Sequence, residues 1–138
     1  MMSLKCVMVI DQELSIGLVA NTAAVLSLTL GKTVADIIGH DIYDAAGHLH
    51  VGITRTPIPI LRGTKETIRS IRRQLYDSNY KDVFVVDFCN AAQSTKNYDD
   101  YSRKLTETPI DDLVFLGIAL YGPEKIVNKF TGSMPLLR

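Results

Sequence analysis

A chain of 138 residues, 46% hydrophobic and 22% charged, is long enough to bury one core and lies far from the composition of segments that stay disordered. Its 15 basic and 15 acidic side chains cancel, so no overall field draws it to a polyanion, and RNA binding, which is not favoured, would need a local basic patch. The only cysteines, Cys6 and Cys89, each lie in apolar sequence and fit reduced core thiols rather than a secreted disulfide framework. The opening stretch has one early lysine and about five apolar residues before Asp11, too few for a signal peptide or a membrane span, so a cytoplasmic protein without a membrane segment is expected.

Cys6 to Ile10 is an unbroken, partly β-branched apolar run, the pattern of a strand covered on both faces. After a polar turn, Leu18, Ala23, Leu26 and Leu30 recur at helical spacings up to Gly31 and predict a helix packed on the sheet. Ala46-Gly47 is placed to turn a hairpin between Ile42-Tyr43 and Leu49 to Ile53. Pro57 and Pro59, flanking Ile58 and preceding Ile60-Leu61, suit an edge strand, because proline cannot donate to a ladder. Thr64 caps a predicted amphipathic helix whose apolar stripe is Ile68, Ile71 and Leu75. DVFVVDF reads as a second buried strand with Asp87 near its C-terminal end, the edge where open α/β sheets place ligands and catalytic groups. Ala91 to Leu105 is polar, with Tyr98 and Tyr101, and predicts a surface helix or ordered loop. Leu113 to Leu120 is a third apolar run, and Gly122-Pro123 opens a last helix through Phe130, with proline in the first turn. The alternation predicts one domain over residues 1–138, a three-layer α/β/α sandwich with a mixed, mostly parallel sheet.

Both ends of the chain resemble the type II peptidyl-tRNA hydrolase family. Leu116-Gly117-Ile118, Gly122-Pro123, Ile126 with Phe130, and Thr131-Gly132 follow the order and spacing of that family's closing segment. Lys5, Val7, Val9, Leu14 and Gly17 match its opening strand and turn. The resemblance implies that family's fold and a homodimer. Its first helix carries a GKGKxAAQ pattern followed by a histidine; here the segment reads GLVANTAA, with Leu18 and Ala20 replacing two lysines, Ala24 the glutamine and Ser27 the histidine. Leucine and alanine cannot hydrogen-bond a phosphate or orient a carboxylate, so the groups that would stabilise developing charge are gone. Asp87 matches the family's strand-end aspartate, but Phe88-Cys89 stand where Ala-Gly is expected and Ala91 where a threonine is. Counting back from Leu116 puts Thr106 on that threonine, which implies an insertion beside Asp87.

Asp87 is therefore the first candidate catalytic residue, a base if desolvation raises its pKa; the alternative is a carboxylate that caps the next turn. Thr106, Asn90 and Thr95 are the polar residues that could surround it. Gly17, Leu18, Ala20, Asp87 and Cys89 mark the expected pocket for a small-molecule ligand. Arg62, Lys65, Arg69, Arg72 and Arg73 form a basic stripe on the capped helix, read as a solvated face rather than a phosphate track. His48 and His50 would share a strand face, as a metal pair does, with Asp44 or His40 recruited across a turn; no third ligand stands at a telling spacing, and neither a metal nor a cofactor is assigned. The expected function is a ligand-binding, non-hydrolytic member of this superfold. The rival is a hydrolase in which Asp87 activates water, Thr106 or Asn90 orients it, and Lys5, Lys32 or Lys96 replaces the lost lysine. A protein-interaction module, marked by a large exposed apolar patch, is the third reading.

Overall fold

The computed structural model describes residues 3–138. In chain order its elements are β1 (Leu4–Asp11), α1 (Ile16–Thr33), β2 (Ile42–Tyr43), β3 (Leu49–His50), β4 (Ile60–Gly63), α2 (Lys65–Gln74), β5 (Phe84–Cys89), α3 (Asn90–Gln93), α4 (Tyr98–Glu107), β6 (Phe115–Pro123) and α5 (Glu124–Thr131). Four strands make the main sheet in the order β4-β1-β6-β5. It is mixed, but its pairing is not mostly parallel: β1 pairs parallel with β4, whereas β6 pairs antiparallel with both β1 and β5. Strands β1, β4 and β5 share one direction, and the reversed β6 is inserted between two of them. Strand direction has no signature in apolar periodicity, which is why alternating strands and helices pointed to parallel neighbours.

Side chains alternate across the sheet, so each strand feeds two cores. Cys6 and Met8 pack with Leu26 and Leu30 of α1 on one face; Val7 and Val9 pack with Ile68, Ile71, Leu75 and Val127 on the other. The strands thus carry helices on both faces. Helix α2 starts where Thr64 accepts the Thr67 N–H at 3.1 Å, and its apolar stripe at spacings of three and four buries Ile68 completely. Truncating Ile68 to alanine would cost about 2–5 kcal/mol, the lost transfer energy plus the cavity left behind. Helix α1 approaches the sheet closely because β6 has Gly117 beneath it: a Cβ there would meet Thr22 Cγ2 at 2.6 Å. Thr22 is buried, and its hydroxyl is satisfied by donating to the Leu18 carbonyl at 2.7 Å.

The last helix begins at Glu124, so Pro123 is its cap residue and the end of β6 rather than a first-turn residue. The DVFVVDF strand is buried only in part. As β5 it lies at the sheet edge, and Phe84 to Asp87 are only half-buried. The opposite edge, β4, follows Pro59 as expected, but the C-terminal segment closes it: Arg62 N–H donates to the Pro135 carbonyl and Leu137 N–H to the Ile60 carbonyl. Residues beyond Ala91 form two helices, α3 and α4.

Strands β2 and β3 pair only with each other, as an arm turned at Gly47, whose φ of 84° suits glycine. Its strands are two residues each, shorter than the expected Leu49 to Ile53 run. Helix α1 packs on the sheet as expected, although by length and composition it is the one helix among the described residues that could cross a membrane. Here it is a layer of the sandwich, with Thr22, Leu26 and Leu30 buried against the sheet.

Candidate functional site

A cleft of about 460 Å³ runs along the outer edge of β5. Val86, Asp87 and Phe88 form its floor, Val25 and Thr29 of α1 one wall, and Thr95, Lys96, Tyr98 and Tyr101 the other. The walls follow from the fold. Helix α1 covers the face that receives Val86 and Phe88, while Tyr101 packs against the core on the opposite face. Tyr98 and Tyr101 meet edge to face with ring centroids 5.4 Å apart, an arrangement that aromatic quadrupoles favour.

Asp87 sits on this floor and takes its cation from an unexpected element. Arg72 Nε of α2 lies 3.3 Å from Asp87 Oδ2, with the side chains 13% and 22% exposed. The contact is an ion pair and not an aligned hydrogen bond, since Arg72 Nε has no partner of proper geometry. The guanidinium is held in place by stacking on Tyr76, 3.8 Å from the ring centroid. Burial pushes the Asp87 carboxyl above the ordinary aspartate value and Arg72 pulls it back in part, so the net direction is upward. Asp87 does not cap the following turn; its carboxylate faces Arg72.

The remaining expected site residues disperse. Asn90 clips α3 to the start of β6: its Oδ1 accepts the Val114 N–H at 3.1 Å, and its own N–H donates to the Val114 carbonyl at 2.9 Å. Thr106 is exposed on α4 and donates to the Ser102 carbonyl at 2.8 Å, so it does not line the cleft. Thr95 does line it, although its hydroxyl is engaged by the Ala91 carbonyl at 2.8 Å. Gly17, Leu18 and Ala20 lie in the first turns of α1, whereas the cleft is lined further along at Val25 and Thr29. Cys89 is buried beside the cleft, its thiol pushed up by desolvation; Cys6, in the core, rises to about 11. Both fit the inert core thiols expected.

Of the lysines considered for Asp87, Lys5 bonds Asn128 at 2.6 Å, Lys32 ends α1, and Lys96 lines the cleft without forming an ion pair among the described residues. The basic stripe breaks up. Arg72 goes to Asp87, Arg73 to Asp111 at 2.6 Å and Lys65 to Asp11 at 3.7 Å, so it is not one solvated face. His50 Nε2 lies 2.9 Å from Asp44 Oδ2 and His48 Nδ1 3.5 Å from it, but no cluster among the described residues has the donors for a metal ion.

Two features escaped the sequence reading. Asp11, at the end of β1 and 1% exposed, accepts the Glu13 N–H at 3.0 Å and faces Lys65, a second strand-end carboxylate. Its position, closing an apolar run as Asp87 does, was the available signal. The Arg72–Asp87 pair had none, because its two members stand fifteen positions apart on different elements, beyond the reach of any local periodicity.

No curated protein matches the chain. A solved structure of a protein of unknown function from Agrobacterium tumefaciens strain C58 is similar over 99% of this chain and 98% of that one, with a TM-score of 0.83 and 23% identity, a likeness of fold. Residues 4–138 match the family described as protein of unknown function (DUF2000), and the chain belongs to that family.

Proposed function

We propose that this protein is a ligand-binding, non-hydrolytic member of a type II peptidyl-tRNA hydrolase-like superfold, with its ligand in the cleft along β5. The observation that carries this reading is the state of Asp87: its carboxylate faces Arg72, while the hydroxyl of Thr106 and the side-chain oxygen of Asn90, which would have oriented a water, are committed elsewhere. Valine, phenylalanine, alanine and two tyrosines supply just over half of the lining, with Thr29, Asp87, Thr95, Lys96 and Asn97 as polar groups, a composition suited to holding a partly apolar ligand. The hydrolase alternative draws support from one feature, the raised carboxyl of Asp87, which moves it toward the range of a general base. Peptidyl-tRNA cleavage by the purified protein separates the two. No turnover is expected; robust turnover abolished by Asp87→Ala would overturn the binding reading.

A homodimer belongs to the same proposal. Ile42, Tyr43, Leu49, Val51 and Ile53 on the arm are each more than half exposed. Together they offer on the order of 600 Å² of surface, close to the ~800 Å² per partner of a stable contact. An isolated two-stranded hairpin is marginal in water, so a second copy packed on the arm would stabilise it. Sedimentation equilibrium should give a dimer that Val51→Asp with Ile53→Asp converts to monomer. A wild-type monomer at micromolar concentration would contradict this.

A further inference from the structure

The direction of every backbone group on β5 follows from one hydrogen bond at the far side of the sheet. Met8 N–H donates to the Pro59 carbonyl, so the even-numbered residues of β1 point their peptide groups at β4 and the odd-numbered ones at β6. Val7 and Val9 therefore bond Leu120 and Ile118. The next residues of β6, Ala119, Tyr121 and Gly117, must face β5, where they meet Val86, Phe84 and Phe88. That leaves the N–H and C=O of Val85 and of Asp87 pointing outward, and no other hydrogen bond reaches these four groups among the described residues.

We infer that β5 is a docking edge for an extended peptide, which pairs with Val85 and Asp87 as a fifth strand and inserts one apolar side chain between Val86, Phe88 and the two tyrosines. This rests on the binding reading above and names the ligand class. An unpaired ladder of alternating donors and acceptors is matched only by another extended backbone. Proteins commonly blunt such edges with lysine, proline or a central bulge. Phe84 to Phe88 carry none of these, their one charge, Asp87, is paired with Arg72 of the same chain, and the register shift comes only at Phe88–Cys89. The cleft overlaps the outward-facing segment at Asp87, with the side chains of Val86 and Phe88 lining it on either side. Its walls decide between occupants. Pairing β5 with the β5 of a second copy would bring that copy's α1 and α4 into the space already walled by Val25, Thr29, Tyr98 and Tyr101, whereas a lone strand brings no helices.

The test is a titration with an equimolar pool of end-blocked hexapeptides alternating Thr with Val, Leu or Phe, followed through the protein's amide resonances. Saturable shifts are expected at Val85, Asp87, Tyr98 and Tyr101. Val85→Pro, which deletes one outward donor and leaves the β6 ladder intact, should weaken binding about tenfold. Two N-methylated pools give an arm that is independent of the variant's folding: methylation of one alternate set of peptide nitrogens should abolish the shifts and of the other set should not. No shift with the pool, or equal binding by both methylated pools, overturns the inference. A fragment of phenol or indole that shifts Tyr98 and Tyr101 while the pool does not would leave the binding cleft standing without its peptide. Cleavage of peptidyl-tRNA alongside peptide docking would have the opposite effect.

Discussion

The two edges of the sheet are built from similar apolar strands and end differently. At β4 the outward N–H of Arg62 and C=O of Ile60 are taken up by residues 135–137, with Leu61 bridged to Leu136. At β5 the equivalent groups of Val85 and Asp87 have no partner among the described residues, and Asp87 lies in a cleft with helical walls. A fold that closes one edge with its own chain and leaves the other open in a pocket treats the two as different surfaces, one structural and one available.

The largest way to disturb this comparison is at Arg72. Replacing it with methionine removes the cation from a mostly buried carboxylate together with its stacking on Tyr76, and should cost about 3 kcal/mol in urea unfolding at neutral pH, in the range for breaking a buried pair. A loss within experimental error would mean that Asp87 is solvated in the open cleft. Removing residues 135–138 should cost about 2 kcal/mol, from two backbone hydrogen bonds at about 1 kcal/mol each, and should promote association through β4. If the truncated chain is as stable and as soluble as the full one, the closed edge has no structural role. Val85→Pro should change stability by less than about 1 kcal/mol, because its N–H has no partner to lose.

A smaller effect concerns pH. The carboxyl of Asp87 is raised in the folded state, so above its unfolded value of 3.8 the native protein holds a proton that the unfolded chain has released. Its contribution to stability is therefore greatest at low pH and declines as pH rises through 3.8 toward the raised value. The difference in stability between the wild type and Asp87→Asn should move against the wild type over that window, and a difference that stays flat or moves in its favour would remove burial as the dominant influence on Asp87.

Local features were legible from sequence. The Thr64 cap, the Ile68–Ile71–Leu75 stripe and the buried run at β1 each depend on neighbours a few residues away, and each forms as its pattern predicts. Asp87 was found because an apolar run ends beside it. What did not show was anything set by distant pairing. DVFVVDF looks central because helices flank both its faces, and only its lateral neighbour, which has no periodicity, makes it an edge. Arg72 resembled the other charges on α2 because its partner is fifteen positions away on a different element. Thr106 was assigned by counting residues, yet its hydroxyl is satisfied within its own helix, as a helical threonine commonly is.

Amide hydrogen exchange of the free protein tests the open edge most directly, since it compares neighbouring groups on a single strand. The amides of Val86 and Phe88, bonded to β6, and of Arg62, bonded to Pro135, should exchange slowly, and those of Val85 and Asp87 should exchange faster by orders of magnitude. Equal protection of Val85, Val86 and Asp87 would show that β5 is already covered and would contradict the account.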